Sequence, residues 1–347
     1  MANLKTKYMG INLKNPVIVG ASNLVQDVKN LQKIEEAGAA AIVYKSLFEE
    51  QIQLESLEMQ NQLDSYQDWD PEHATLFPDL EHAGPAEYIM HLKEAREAVK
   101  IPLIASINAV YEDSWVEYAK RLEATGVNGL ELNFYANNTD FWKAETDIEA
   151  EQVDILKKVK AAVKIPVSVK LSPFYTNTLR HIARLDRSGA SAFILFNRLF
   201  QPDIDIQKEE HHFPYNFSSQ NDNRLAIRYA GLLYGHVGGS ICSNTGIHTG
   251  EDAIKTILAG ADTVQVVSAL YKKGIGYLST IILEIEKWMN VKGYQSIKDF
   301  RGKLSAKNDP SPFTYKRAQY VDILMKSENF ETFHPKGNEE ISWEDRW

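Results

Sequence analysis

A (β/α)8 barrel, with long loop insertions over the face where its strands end, is the fold predicted for this chain. Three observations predict it. Short apolar strands alternate with amphipathic helices along most of the length, about eight times, which favours a closed barrel over an open doubly wound sheet. Two strands are introduced by the same signal, Val99-Lys100-Ile101-Pro102 and Val163-Lys164-Ile165-Pro166, where proline stops a helix and takes the first strand position. The stretch from Ser243 to Leu270 reads as strand end, tight turn, helix, strand and second turn, with small residues at both strand ends.

Taken in order, Pro16 to Gly20 is a short apolar strand, and Gln26 to Ala37 has helical spacing in Val28, Leu31, Ile34 and Ala37 with Gly38 as its stop. Ala39 to Tyr44 is the next strand and ends on Lys45. Glu49 to His82 is acidic, amide-rich and aperiodic; it is read as an insertion outside the core and a candidate lid. The alternation resumes with helix from Pro85 to Val99, strand from Pro102 to Ile107, helix from Trp115 to Thr125 and strand from Gly129 to Asn133. Helix from Ile148 to Val163, strand from Pro166 to Leu171, helix from Asn177 to Leu185 and strand from Ser191 to Phe196 follow. Gln201 to Asn223 is a second polar excursion, carrying His211 and His212. Leu225 to Val237 is helical and Gly239 to Ser243 a strand. Thr249 with Asp252 forms a capping-box helix start, Gly260 is its stop, and Thr263 to Val267 is β-branched and apolar. Leu278 to Val291 is the closing helix.

With 347 residues, 44% of them hydrophobic, the chain can bury a large core. Its 38 basic and 47 acidic residues leave a net charge of -9, and no Lys/Arg-rich block could track a phosphodiester backbone, so nucleic acid is excluded as the expected partner. One cysteine, Cys242, permits no internal disulfide and cannot hold an iron–sulfur cluster; lying in an apolar strand, it reads as a small core residue. The opening residues carry no apolar signal core and no run has the length of a membrane span. A soluble, cytoplasmic protein is expected.

In a barrel of this kind the chemistry belongs at the C-terminal ends of the strands. Those positions hold Ser22, Asn23, Lys45, Ser46, Ser106, Asn108, Asn133, Lys170, Asn197, Asn244 and Ser268. The set is nearly all amide, hydroxyl and ammonium. It lacks the His and carboxylate clusters of a metal site, and none is expected. Two inward lysines with several asparagines suit an anionic, hydrogen-bond-rich planar ring; Lys45 or Lys170 as a Schiff-base nucleophile, in a lyase or aldolase, is the rival chemistry. The small residues Asn244, Thr245 and Gly246, with Ser268 and Ala269, let backbone N–H groups approach an anion, where barrels place a phosphate after their seventh and eighth strands.

These runs resemble the soluble, class 1 branch of the dihydroorotate dehydrogenase family. The matches are Asn15-Pro16 through Ala21-Ser22, Lys45-Ser46, Glu131-Leu132-Asn133, Val169-Lys170-Leu171-Ser172-Pro173, Ile247 to Ala253, Gln265 to Leu270 and Gly293 to Leu304, in the family's order. The resemblance implies an FMN-dependent oxidoreductase of pyrimidine metabolism that moves hydride between a small cyclic substrate, dihydroorotate or a related dihydropyrimidine, and the flavin. It implies that Ala21, Ser22, Lys45, Ser46, Asn108, Asn133, Lys170 and Asn197 line the flavin or substrate pocket. The backbones of Thr245, Gly246, Ser268 and Ala269 then hold the FMN phosphate, with Asn244 among the cofactor-binding residues. Lys170 is assigned to stabilising negative charge on the reduced ring, and Lys45 to contacting flavin or substrate. Residues 1–304 form the FMN-binding barrel and 305–347 an extension packed on the surface or on a neighbouring subunit. A homodimer is implied, with a separate iron–sulfur and flavin electron-transfer subunit as a further partner.

The match breaks at the family's Asn-x-Ser-Cys-Pro-Asn loop, whose cysteine removes the substrate proton. Here the loop reads Asn133-Phe134-Tyr135-Ala136-Asn137-Asn138, and alanine is no base. Tyr135 is the neighbouring acid candidate, although a phenol of pKa about 10 is a poor base near neutral pH. His211 and His212 are further candidates. A flavin-binding protein without dihydroorotate turnover is the third reading.

Overall fold

The computed structural model describes residues 2–50, 86–134, 141–199, 201–212, 217–310, 314–316, 320–321 and 325. The chain forms two compact units, Met1–Asn308 and Asp309–Trp347. The first is a closed barrel. Its strands are β3 (Val17–Val19), β4 (Ala41–Val43), β6 (Leu103–Asn108), β7 (Gly129–Asn133), β8 (Val167–Leu171), β9 (Ala192–Leu195), β12 (Ser240–Ser243) and β13 (Thr263–Val266). Each pairs in parallel with the next, and β13 pairs with β3 to close the ring. The remaining strands are a hairpin of β1 (Thr6–Tyr8) and β2 (Ile11–Leu13), β5 (Leu47–Phe48) beside β6, and a hairpin of β10 (Asp203–Asp205) and β11 (Glu210–His212).

Strand side chains alternate between the two faces, and the alternation sorts the core into two layers. Leu103, Ala105, Ile107, Leu130, Leu132, Val167, Val169 and their counterparts pack outward against the helices. Ile18, Ala41, Val43, Ile104, Ala192, Ile194 and Cys242 pack inside the ring with Tyr8, Met9 and Leu13 of the first hairpin. That hairpin was not anticipated. Its turn, Met9-Gly10, has positive φ at both residues (53° and 83°), the two-residue geometry that follows strand twist, but without the Asn-Gly signature that betrays it in a sequence.

The repeated Lys-Ile-Pro signal has a structural counterpart. The Glu35 carboxylate, near the end of helix Val28–Glu36, accepts the N–H groups of Lys100 and Ile101 at 3.1 Å each, and Glu123, ending helix Glu112–Glu123, accepts those of Lys164 and Ile165 at 2.7 and 3.0 Å. Asp186, in helix Thr178–Arg187, does the same for Gly238 and Gly239. Each strand entry is thereby relieved of orphan donors by an acid from a neighbouring helix.

The helix boundaries follow the predicted ones within a few residues, and the Thr249/Asp252 capping box is formed, with Gly260 closing helix Gly250–Ala259. Three readings need correction. Ser268 and Ala269 do not form a plain turn but open the short helix Ser268–Lys273, ended by Gly274 at φ 83° with Lys272 and Lys273 in the last turn. The excursion after β9 contains a hairpin, and Ser305, read as the start of the surface extension, is fully buried.

Glu49, read as part of a polar insertion outside the core, is also buried. Its carboxylate accepts the N–H groups of Val110 and Tyr111 at 2.6 and 3.1 Å and the Ser114 hydroxyl at 2.6 Å, at the start of helix Glu112–Glu123. A carboxylate there satisfies orphan donors and complements the helix dipole. Glu49→Ala is therefore expected to lower stability by about 2 kcal/mol in urea denaturation, and a change within experimental error would show that the contact carries nothing. Residues 51–82, nearly all of the candidate lid, lie outside the described residues. Among the described residues no helix is long and apolar enough to cross a membrane.

Candidate active site

Inside the ring the lining changes character along the strands. Toward the strand starts it is aliphatic; toward the strand ends it becomes Ser106, Glu131, Asn133, Ser168, Lys170 and Gln265, all buried. The centre of this polar layer is Glu131. It is fully buried, its Oε2 accepts the Gln265 Nε2–H at 2.7 Å, and its Oε1 lies 3.9 Å from Lys170 Nζ with no hydrogen-bond partner. Burial holds this carboxyl above the usual range, with Lys170 and Gln265 pulling the other way. Residues of three strands thus place one ammonium and one carboxyl beneath the mouth of the barrel.

Asn133 is cross-strand partner to Lys170, and its side-chain oxygen accepts the Asn197 amide at 2.5 Å. Ser46 and Ser106 share a 2.7 Å hydrogen bond beside the end of β6, where Asn108 is buried. Lys45, in contrast, is only half-buried and its Nζ reaches the Gln26 side chain at 3.4 Å, so it does not join the Lys170 cluster. Ser22 precedes the 3-10 turn Asn23–Val25, and its hydroxyl is buried without a partner.

On the opposite side of the mouth the chain turns sharply after β12. Asn244 donates its side-chain amide and Thr245 its hydroxyl to the Phe196 carbonyl, at 3.2 and 3.0 Å, which follows the cis peptide Leu195-Phe196. Thr245 and Gly246 both have positive φ (74° and 78°), and a Cβ on Gly246 would stand 2.4 Å from the Asn223 nitrogen. Ser268 Oγ accepts the Ser218 N–H at 3.1 Å, and Ser218 Oγ is 3.3 Å from His248 Nε2, an imidazole held below its usual range by burial and then by Lys272. A cavity of 230 Å³ joins these parts, lined by Ala21, Lys170, Asn197, Arg198, Ser218, Thr245, Gly246, Gln265 and Ser268 among others.

Of the residues read from the sequence, Ala21, Lys170, Asn197, Asn244, Thr245, Gly246 and Ser268 therefore line one cavity. Asn133 borders it through Asn197, and buried Ala269 lies behind Ser268. Lys45, Ser46 and Asn108 stand on the β4–β6 side of the mouth. Tyr135 and Ala136 lie outside the described residues. His211 and His212 are exposed on β11, away from the cavity lining. Cys242 packs in the inner core, where burial pushes its thiol up to about 12. Glu131 and Gln265, quoted only as part of matching runs, and Ser218 and Arg198 were not anticipated as site residues. The strand alternation that places Asn133 inward also places Glu131 inward two residues earlier, and that was the available signal.

The donor set fits a flavin mononucleotide. Gln265 Oε1, which shares the cavity lining with Lys170, and Ser22 Oγ next to Ala21 are buried atoms without partners, open to a ring rich in donors and acceptors, while the Cβ direction of Gly246 is filled by the backbone of Asn223 and Ser219. The architecture is that of a (β/α)8 barrel with a polar-lined cavity at its C-terminal face.

Comparison with known proteins specifies the class. The family model described as dihydroorotate dehydrogenase matches residues 79–289. The catalytic subunit of dihydroorotate dehydrogenase B (NAD(+)) from Thermoplasma volcanium is 28% identical over 307 residues, 87% of this chain and 98% of that protein. Dihydroorotate dehydrogenase A (fumarate) from Lactobacillus helveticus is 28% identical over 318 residues, 88% of this chain and 99% of that protein. The chain belongs to the dihydroorotate dehydrogenase family, flavin-dependent oxidoreductases acting on a CH–CH group.

Proposed function

We propose that this protein binds FMN at the mouth of its barrel and oxidises dihydroorotate or a closely related dihydropyrimidine. The observation that carries the reading is the convergence of Lys170, Asn197 and Gln265 with the Thr245-Gly246 turn and Ser268 on one cavity, in a chain of this family. When bound, the flavin supplies the hydride acceptor. Lys170 is positioned to stabilise negative charge on the ring, Gln265 and Ser22 to satisfy its polar edge, and the backbone at Thr245, Gly246 and Ser268 to hold the phosphate. Asn133 and Asn197, already bonded to each other, are suited to orienting a planar anionic substrate. The proton that leaves with the hydride passes to a group other than a cysteine at position 136.

The lysine is better suited to this role than to Schiff-base chemistry, because its Nζ stands 3.9 Å from a carboxylate oxygen and faces a cavity with flavin-like donors. Relatives carry names that include NAD(+) and fumarate, and this chain has a single cysteine, so any iron–sulfur centre on the electron path sits on another chain. A cytoplasmic homodimer with such a subunit as an optional partner completes the proposal. Purified protein is expected to be yellow and to release about one FMN per chain on acid denaturation, since one phosphate turn is present. Colourless protein that fails to take up added FMN, and is instead trapped covalently by borohydride with a carbonyl substrate, would favour the lyase reading.

A further inference from the structure

A wide cleft lies on the other end of the barrel. It measures 1110 Å³ and is walled by the β1–β2 hairpin, the Tyr234–Ser240 segment entering β12, Gly260 and Asp262 entering β13, and the segment from Ser296 to Arg301. These are strand-start positions, so nothing bound there can touch the site at the strand ends.

Its charge is opposite to that of the chain. Lys5, Lys7, Lys14, Lys298, Arg301 and Lys307 line the cleft against one carboxylate, Asp262, in a protein of net charge -9. Asp262 is already engaged, by the Ile241 N–H at 2.9 Å and by an ion pair with Arg301. The nearby acids Asp186 and Asp299 are likewise taken up by backbone N–H groups of Gly238, Gly239, Gln295 and Ser296. None of the five lysines has an ion pair among the described residues, whereas Lys157, Lys158 and Lys255 on the helices each have one. Lys307 lies across Gly235, where a Cβ would stand 3.0 Å from its Nζ. Arg301 keeps a buried Nε without a partner.

We propose that this cleft is a binding site for a small polyanion bearing a chain of phosphates, a nucleoside polyphosphate or free polyphosphate. Flexible ammonium groups on facing walls converge on a compact multiply charged ligand, whose charge also relieves their mutual repulsion. The volume is that of a nucleotide-sized pocket and not of a flat protein interface.

The test is isothermal titration of sodium tripolyphosphate into the protein with saturating FMN, which keeps the phosphate turn after β12 occupied. One saturable site is expected, weakening as salt rises toward about 0.15 M. A Lys5→Gln/Lys298→Gln/Lys307→Gln triple variant should bind at least about tenfold more weakly, and the Lys→Arg triple should retain affinity and report that the fold is intact. A Lys29→Gln/Lys93→Gln/Lys120→Gln triple on the outer helices should bind as the parent does. ATP binding more tightly than tripolyphosphate would assign the nucleoside to the Tyr234 wall; equal binding would assign the phosphate chain alone. Absence of saturable binding, or equal losses in the two Gln triples, would overturn the proposal.

Discussion

Replacing Gly246 by alanine is expected to destabilise the protein by about 3 kcal/mol or more and to strip it of flavin. Two effects add. At φ 78° a Cβ meets its own backbone, worth about 1–2 kcal/mol. The new methyl would also stand 2.4 Å from the Asn223 nitrogen and 2.9 Å from the Ser219 carbonyl oxygen, both backbone atoms that cannot swing aside as a side-chain end would. The turn must then move away from the 3-10 segment Gln220–Asp222 and helix Asn223–Leu233, taking with it the backbone proposed to hold the phosphate. Gly293→Ala is the internal comparison. It is left-handed too, at φ 74° and ψ 14°, but its Cβ would meet no atom within 4 Å, so it should lose only about 1 kcal/mol and keep its flavin. Urea melts of both variants with FMN counted by absorbance decide the matter; equal behaviour would remove the turn from the account.

The second large effect is at Lys170. Lys170→Met leaves Glu131 fully buried with no counter-charge, a situation that costs about 3–5 kcal/mol when a buried pair loses one partner. The loss should depend on pH. Burial already holds the Glu131 carboxyl above its usual range and Lys170 is the main influence lowering it, so removing the ammonium raises it further. A carboxyl whose folded value is raised binds its proton more tightly in the native state. Its contribution is fully present below the unfolded value near about 4.3 and is lost as pH climbs through the folded value. The variant should therefore approach the parent at about pH 4 and fall furthest below it near neutrality. Glu131→Gln, which preserves the bond to Gln265 and removes the charge, should restore most of the loss in the double variant. A destabilisation that is flat with pH, or that persists in the double variant, would show that the two residues are not coupled.

Much of the barrel was legible because its signals are local. Proline at strand entry, the Thr249/Asp252 capping box and the alternation of strand with helix each depend on residues within one turn or one strand. The individual strand-end residues were legible for the same reason. What joins them was not. The Glu131 to Gln265 hydrogen bond links positions 134 residues apart, and only ring closure brings β7 and β13 across the same interior. Lys45 and Lys170 look equivalent as lysines ending strands, yet the first reaches Gln26 at the rim and the second points at Glu131 inside. Glu49 illustrates the opposite error, since an acidic, aperiodic segment hid a carboxylate buried by a neighbouring helix start. The Met9-Gly10 hairpin escaped because its turn conformation is imposed by packing of Tyr8 and Met9 into the barrel floor.

The alanine at position 136 gives the central claim its sharpest point, since the family's proton-removing cysteine is missing while Lys170, Asn197 and Gln265 line one cavity. The most direct measurement is the visible spectrum of the purified protein, followed anaerobically as dihydroorotate is added. Oxidised flavin bands that bleach stoichiometrically with dihydroorotate are the predicted result. Flavin bands that persist through an excess of dihydroorotate and related dihydropyrimidines would contradict it.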